Sequence, residues 1–379
     1  MPRRDHPGNP LKAPTPEKKS DRNAGPQHPN GFTSKMNASH CIKIAVYSLD
    51  LPHYACADLR LVTPFRRLRE HLDFRWAVQD CNGQSRIDAD PVEWADLIVV
   101  QRYFPLKETS ALLEIILASG KPVVFEIDDY LLEVPPSHPL YHNFQRTAPF
   151  IRDFIPRVNL VTVSTDAMRE RLLGFNPNTV TLPNLIDEAA VTPAIPVADP
   201  TKTVIAYMGS PTHDQDLKLI EEALFRVKEK FGEATEFIFW GCAGTRLAEL
   251  GRVIPFDDSY ASFLKTLGKI HFDIGLAPLA DNPFNRCKSN IKWLEYSAHA
   301  RAGIFSDLEP YRESVAHGKT GMLVGADPKE WFAALEYLIS HPDQRKAMGR
   351  AARKDAFARF GLSKGVHRYL ELYKGLLKR

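Results

Sequence analysis

The chain has 379 residues, is 44% hydrophobic and carries a formal charge of +3, which is more length and apolar content than one ordinary core absorbs and fits two domains. Residues 1–40 hold seven Lys or Arg against three acids, leaving the remainder close to neutral, and this argues against nucleic acid as a main partner. Cys41, Cys56, Cys81, Cys242 and Cys287 are scattered without Cys-x-x-Cys spacing, which excludes a disulfide frame or zinc site as the organising element and fits thiols kept reduced in a cytoplasm.

In chain order, residues 1–40 contain seven prolines and few apolar side chains; such a tail cannot offset its ordering entropy and is expected to be disordered, with Met36 an alternative start. It lacks the apolar centre of a signal peptide, and no run of about 18 apolar residues marks a membrane span. Short apolar runs at 42–47, 74–78, 97–101, 123–127, 160–163 and 180–182 then alternate with helical patterns at 58–71, 107–119, 140–154 and 165–174. Continuous apolar strands with crossover helices predict a parallel sheet covered on both faces, so residues 41–190 read as one Rossmann-like domain. A Pro/Ala-rich linker over 191–202 follows. The second series has strands at 204–208, 236–240, 252–254 and 274–276 and helices at 216–231 and 260–267. Helices at 329–340, 342–360 and 364–377 close the chain, with residues 203–360 as the second domain and 361–379 as a terminal helix. Two such domains place a ligand cleft at the C-terminal ends of their strands.

Three features carry chemistry. If 288–300 is helical, Lys288, Lys292 and Glu295 share one stripe, with Ile291, Leu294 and Ala298 opposite. Two lysines near a helix N-terminus suit a diphosphate, and a carboxylate one turn on suits ribose hydroxyls; the stripe also reads as a solvated face of i,i+3 and i,i+4 pairs. The turn Gly209-Ser210-Pro211-Thr212-His213-Asp214 follows a strand and opens a helix. It offers a close backbone approach and hydroxyls for phosphate, or simply a helix cap. Glu126-Ile127-Asp128-Asp129 at a strand end can hold a metal, act as acid and base, bind sugar hydroxyls, or cap the next turn. Arg60 and Arg102 stand at element ends on the expected cleft side.

The stretch 282–323 resembles the donor-site signature of the group 1 glycosyltransferases of GT-B fold. The matching pieces are Leu294-Glu295-Tyr296-Ser297-Ala298, Ala302-Gly303-Ile304-Phe305, Ser306-Asp307, Glu313-Ser314-Val315 and Gly318-Lys319-Thr320-Gly321-Met322-Leu323-Val324. Of the family's two glutamates eight positions apart, Glu295 is the second, and Cys287 stands where the first belongs.

The resemblance implies an α/β GT-B fold in which two Rossmann-like domains with parallel sheets face a central cleft and the last helix crosses back to the first domain after Gly361. It implies a retaining glycosyltransferase with a nucleotide-diphosphate sugar as co-substrate, no cofactor and no metal. Lys288 and Lys292 would meet the diphosphate, Glu295 the ribose, and Gly209, Ser210, Thr212 and His213 would border the donor. Asn285, Arg286 or Asn290 would hydrogen-bond the donor sugar in place of the glutamate that Cys287 replaces. Asp128, Asp129, Arg60 and Arg102 would face the acceptor, a glycan or lipid-linked molecule, with Asp128 and Asp129 counted with the lysines as catalytic. Bacterial surface polysaccharide synthesis in the cytoplasm is the expected setting, with a peripheral membrane contact through Arg66, Arg67 and Arg69 or a solvated helix face there instead. A non-catalytic nucleotide-sugar or glycan binder, or a nucleotide-sugar epimerase, is the alternative.

Overall fold

The structure, a computed structural model, describes residues 41–81, 84–191, 199 and 201–378. The expected disordered tail and most of the expected linker lie outside those residues. Strands β1 (Ile42–Tyr47), β2 (Leu72–Trp76), β3 (Val78–Cys81), β4 (Gln84–Ile87), β5 (Leu97–Gln101), β6 (Val123–Ile127), β7 (Leu160–Val163) and β8 (Thr179–Thr181) occupy the first half. The second half holds β9 (Thr203–Met208), β10 (Thr235–Trp240), β11 (Arg252–Ile254), β12 (Ile274–Ala277), β13 (Ala302–Ser306) and β14 (Met322–Val324). Two six-stranded parallel sheets result, ordered β2-β1-β5-β6-β7-β8 and β11-β10-β9-β12-β13-β14. Every residue of β5, β6 and β9 is buried, which explains their unbroken apolar runs: helices cover both faces of each sheet.

Local departures from the sequence reading have physical causes. Past β2 the chain turns into the antiparallel β3–β4 hairpin, in place of the expected extension of the parallel strand to Val78. The expected helix over 58–71 is a π-helical stretch Asp58–Val62 followed by an α-helix ending at Arg67, an irregularity often found at functional sites. The helix over 216–231 is broken into Asp214–Lys218 and Glu221–Phe231. The terminal helix His367–Leu377 lays Tyr369, Leu370 and Tyr373 into the first-half core beside Ile44, Phe65 and Val99.

Arg60 does not reach the cleft, contrary to its expected acceptor contact. It is fully buried, donates from Nε to Glu126 Oε1 at 2.7 Å and from Nη1 to Asn184 Oδ1 at 3.1 Å, and also meets the Leu182 carbonyl. Thr162 Oγ1 donates to the other Glu126 oxygen. Burial leaves the Glu126 carboxyl above its ordinary range, against the pull of Arg60. Arg60→Ala is therefore expected to lower the unfolding free energy by about 3 to 5 kcal/mol, because it strands a buried carboxylate. Urea denaturation checks this, and Arg60→Met combined with Glu126→Gln should recover part of the loss; a single-variant cost under about 1 kcal/mol would contradict a buried pair.

Candidate active site

The C-terminal ends of β9 and β12 and the segment that follows β12 form one wall of the cleft. Gly209 directly follows β9, and a side chain there would collide with the Tyr207 hydroxyl, 2.5 Å from its Cβ position. Beside it Gly241 adopts φ +85° with the Gly209 carbonyl only 2.2 Å from where a Cβ would stand. Both positions require glycine, and they bring two strand ends together. Ser210 Oγ and Thr212 Oγ1 are paired at 2.7 Å on this turn.

The helix carrying the expected stripe begins three residues later than the sequence reading has it, spanning Ile291–Ala298. Lys288 precedes it, at the end of a loop whose short helix Pro283–Arg286 is capped by Asn282. Nor is the helix half solvated: Lys292, Trp293, Leu294, Tyr296, Ser297 and Ala298 are all buried. Lys292 is only 8% exposed and holds its ammonium 5.8 Å from the Tyr207 ring centre. Burial lowers its proton affinity, and Glu295 one turn on partly restores it. Glu295 in turn is pushed up to about 7 by burial, against Lys292 and a 3.3 Å hydrogen bond donated by the Tyr260 hydroxyl. The Tyr260 backbone N–H donates to the His53 carbonyl at 2.9 Å, so a first-half loop closes over this end.

Lys288 reaches across to the first half, 3.5 Å from Asp129 Oδ1. Burial alone would raise the Asp129 carboxyl, yet Lys288 and then Arg102 hold it below its ordinary range. Its neighbour Asp128 goes the other way, raised by burial and by Asp129 against the pull of Arg102. Arg102 lies 3.3 Å from each of these carboxylates and 3.4 Å from Asp50, and it also contacts the Cys56 thiol. Its backbone takes φ +53°. A non-glycine residue in that region signals strain, which concentrates at working sites.

Sequence reasoning missed Asp50, Cys56 and Asp216. Asp50, in the Ser48–Tyr54 loop, has no distinguishing neighbour in sequence. Asp216 was announced only by the His213-x-x-Asp216 spacing: its Oδ2 meets His213 Nδ1 at 2.7 Å, and its Oδ1 accepts from Asn285 Nδ2 at 3.0 Å and from the Ala280 N–H at 2.8 Å. The side-chain amides of both asparagines offered as substitutes for the missing glutamate are thus engaged, since Asn290 Nδ2 donates to Ser314 Oγ at 2.7 Å. Cys287 is fully buried among first-half core residues. Among the described residues no group of three or more His, Cys, Asp or Glu is placed to hold a metal ion, and no helix is long and apolar enough to cross a membrane.

The fold is GT-B. A sucrose-phosphate synthase from Thermosynechococcus elongatus superimposes with a TM-score of 0.67 at 12% identity, covering 89% of this chain and 99% of that one. Anabaena HepE, in complex with UDP and glucose, gives 0.61 at 15% identity over 88% and 100% of the two chains. A glycosyltransferase from Rickettsia africae gives 0.65 at 14% identity, covering 89% and 99%. Local sequence likeness points the same way: D-inositol 3-phosphate glycosyltransferase from Thermobispora bispora is 42% identical over 69 residues, 18% of this chain and 16% of that protein. The enzyme of the same name from Corynebacterium urealyticum is 37% identical over 84 residues, 22% and 20% of the respective chains. The matched stretch therefore spans a fifth or less of those relatives. No protein-family model matches the chain.

The raised Glu295 carboxyl has a testable sign. Its ordinary value of 4.5 becomes about 7 on folding, so the folded state binds the extra proton, and its contribution to stability is complete below about pH 4.5 and lost as pH rises through about 7. The melting temperature of Glu295→Gln is expected to gain on that of the wild type between about pH 5 and about pH 8. A difference that is flat or of opposite slope would place the carboxylate in a less buried setting.

Proposed function

We propose that the chain transfers a sugar from a nucleotide-diphosphate sugar to a glycan or lipid-linked acceptor, with retention at the anomeric carbon and without a metal ion. The observation that carries this is the pair Lys288 and Lys292, held in a largely dehydrated cleft beside the Gly209 turn, with Glu295 one turn beyond Lys292. Glycosyl transfer passes through an oxocarbenium-like state as the diphosphate leaves with growing negative charge. Fixed ammonium groups in a low-dielectric site stabilise that charge without reorganising. Glu295, ionised, accepts from the ribose hydroxyls. In the retaining reading the leaving phosphate oxygen takes the acceptor proton, so no protein nucleophile is required.

On the facing wall, Asp128, Asp129 and Arg102 bind acceptor hydroxyls. An incoming diphosphate competes with Asp129 for Lys288, and the carboxylate so released is free to accept from the acceptor. Two relatives are by name D-inositol 3-phosphate glycosyltransferases, which supports glycosyl transfer, and HepE is seen with UDP-glucose, which supports the donor class. Surface polysaccharide synthesis at the inner face of a bacterial membrane is the setting we propose, with exposed Arg66, Arg67 and Arg69 available to anionic lipid.

A second reading, a nucleotide-sugar binder without turnover, is favoured by one observation: Cys287 is packed into the first-half core and presents no polar group to a sugar. Assays with a panel of nucleotide sugars separate the two. Lys292→Ala is expected to cut transfer by about 100-fold or more with a nearly unchanged melting temperature, the scale of removing one preorganised transition-state donor, and transfer should survive EDTA. Near-normal turnover in that variant removes the diphosphate role, loss in EDTA restored by Mg²⁺ removes metal independence, and binding without transfer by the wild type favours the second reading.

A further inference from the structure

His213 is oriented by Asp216, a carboxylate that pairs with no lysine or arginine among the described residues. Asp216 is 5% exposed, and burial would raise its carboxyl, but the bonds from His213 and the Ala280 N–H keep it below its ordinary range. Ionised, it can only accept, so the proton in the 2.7 Å contact sits on His213 Nδ1. Burial and then Lys292 push the imidazole down to about 4 despite Asp216, so the ring is neutral near pH 7. A neutral ring protonated at Nδ1 carries a bare lone pair on Nε2. No hydrogen bond to that atom occurs among the described residues, and the ring lines a pocket with Thr212 and Lys288 that faces Ser137 and His138 of the first half.

The carboxylates and the asparagine amide near this pocket already have partners within the protein. Asp129 faces Lys288 and Arg102, Asp128 faces Arg102, and Asn285 Nδ2 donates to Asp216 and to the Ala280 carbonyl. The Cys287 thiol is buried in the first-half core.

We propose that His213 Nε2 accepts a hydrogen bond from a hydroxyl of the donor sugar, with Asp216, itself held by Asn285, as the positioning group. The ligand is the neutral polyhydroxyl part of a nucleotide-linked sugar, because an uncharged ring adds little to diphosphate binding and the lysines serve that end. The inference rests on the nucleotide-sugar reading above and supplies, from a different element, the acceptor that Cys287 lacks.

Titration calorimetry of the full chain with UDP, GDP and ADP, and with their glucose, galactose, mannose and N-acetylglucosamine conjugates, tests it. His213→Ala should bind the preferred nucleoside diphosphate as the wild type does and the tightest-binding conjugate roughly tenfold more weakly. His213→Gln, whose amide oxygen can accept the same bond, should recover most of that loss; a merely structural imidazole would give no such rescue. Equal weakening toward diphosphate and conjugate, or no weakening toward either, overturns the inference while leaving the nucleotide-sugar reading in place. If the wild type binds none of the diphosphates, that reading falls and this inference falls with it.

Discussion

Two lysine ammonium groups held in a cleft with little water are the constraint around which the molecule is arranged. An ammonium in such a place is costly unless an anion or dipole answers it. Lys292 is met by Glu295 on its own helix and by the face of Tyr207, and Lys288 by Asp129 from the opposite half. These answers are partial. Lys292 still has a lowered proton affinity and Glu295 a raised one, the condition expected of a site whose charges await an anionic ligand. The glycine positions at 209 and 241 follow from the same need, since they let backbone approach where side chains would shut the space.

One second-half loop packs directly into the first half, and its packing accounts for the residue at 287. Phe284 and Cys287 join the first-half core, Thr165 Oγ1 donates to the Cys287 carbonyl at 3.0 Å, and Lys288 follows directly with its bridge to Asp129. A carboxylate at this fully buried point of the first-half core would carry a desolvation cost that Arg171, beside the thiol, offsets only in part. A thiol, kept protonated because burial pushes it up to about 12, fits as a small apolar group. An uncharged residue at 287 and the inward path of the loop are thus one structural fact.

The parallel sheets were legible because burial on both faces writes an unbroken apolar run into each strand, as in Leu97–Gln101 and Val123–Ile127. The β3–β4 hairpin was not, because Val78–Cys81 is mostly exposed and carries no such run. The start of the lysine helix was hidden for a related reason: Lys288 and Lys292 lie four apart, as on a helix face, although Lys288 belongs to the preceding turn. Residue type announced the lysines, Glu295 and the paired aspartates, which chemistry makes conspicuous. Asp216 and Asp50 matter only through partners such as Asn285, 69 positions from Asp216, and Tyr103, 53 positions from Asp50, and a separation of that kind leaves no local pattern to find.

Arg60 shows how a wrong role can sit on the right network. Its guanidinium holds Glu126, two residues before Asp128, and so fixes the strand end from which both aspartates project. The same guanidinium donates to Asn184 Oδ1, while Asn184 Nδ2 donates at 3.0 Å to Ser289 Oγ, in the turn that carries Lys288. One buried cation thereby references both charged walls of the cleft to a common point, the aspartates through Glu126 and the lysine turn through Asn184. Hydrogen bonds to a charged group are stronger than neutral ones and lose more when geometry drifts. The separation of Asp129 from Lys288 is accordingly set from beneath the cleft, by the buried groups Arg60, Glu126 and Asn184.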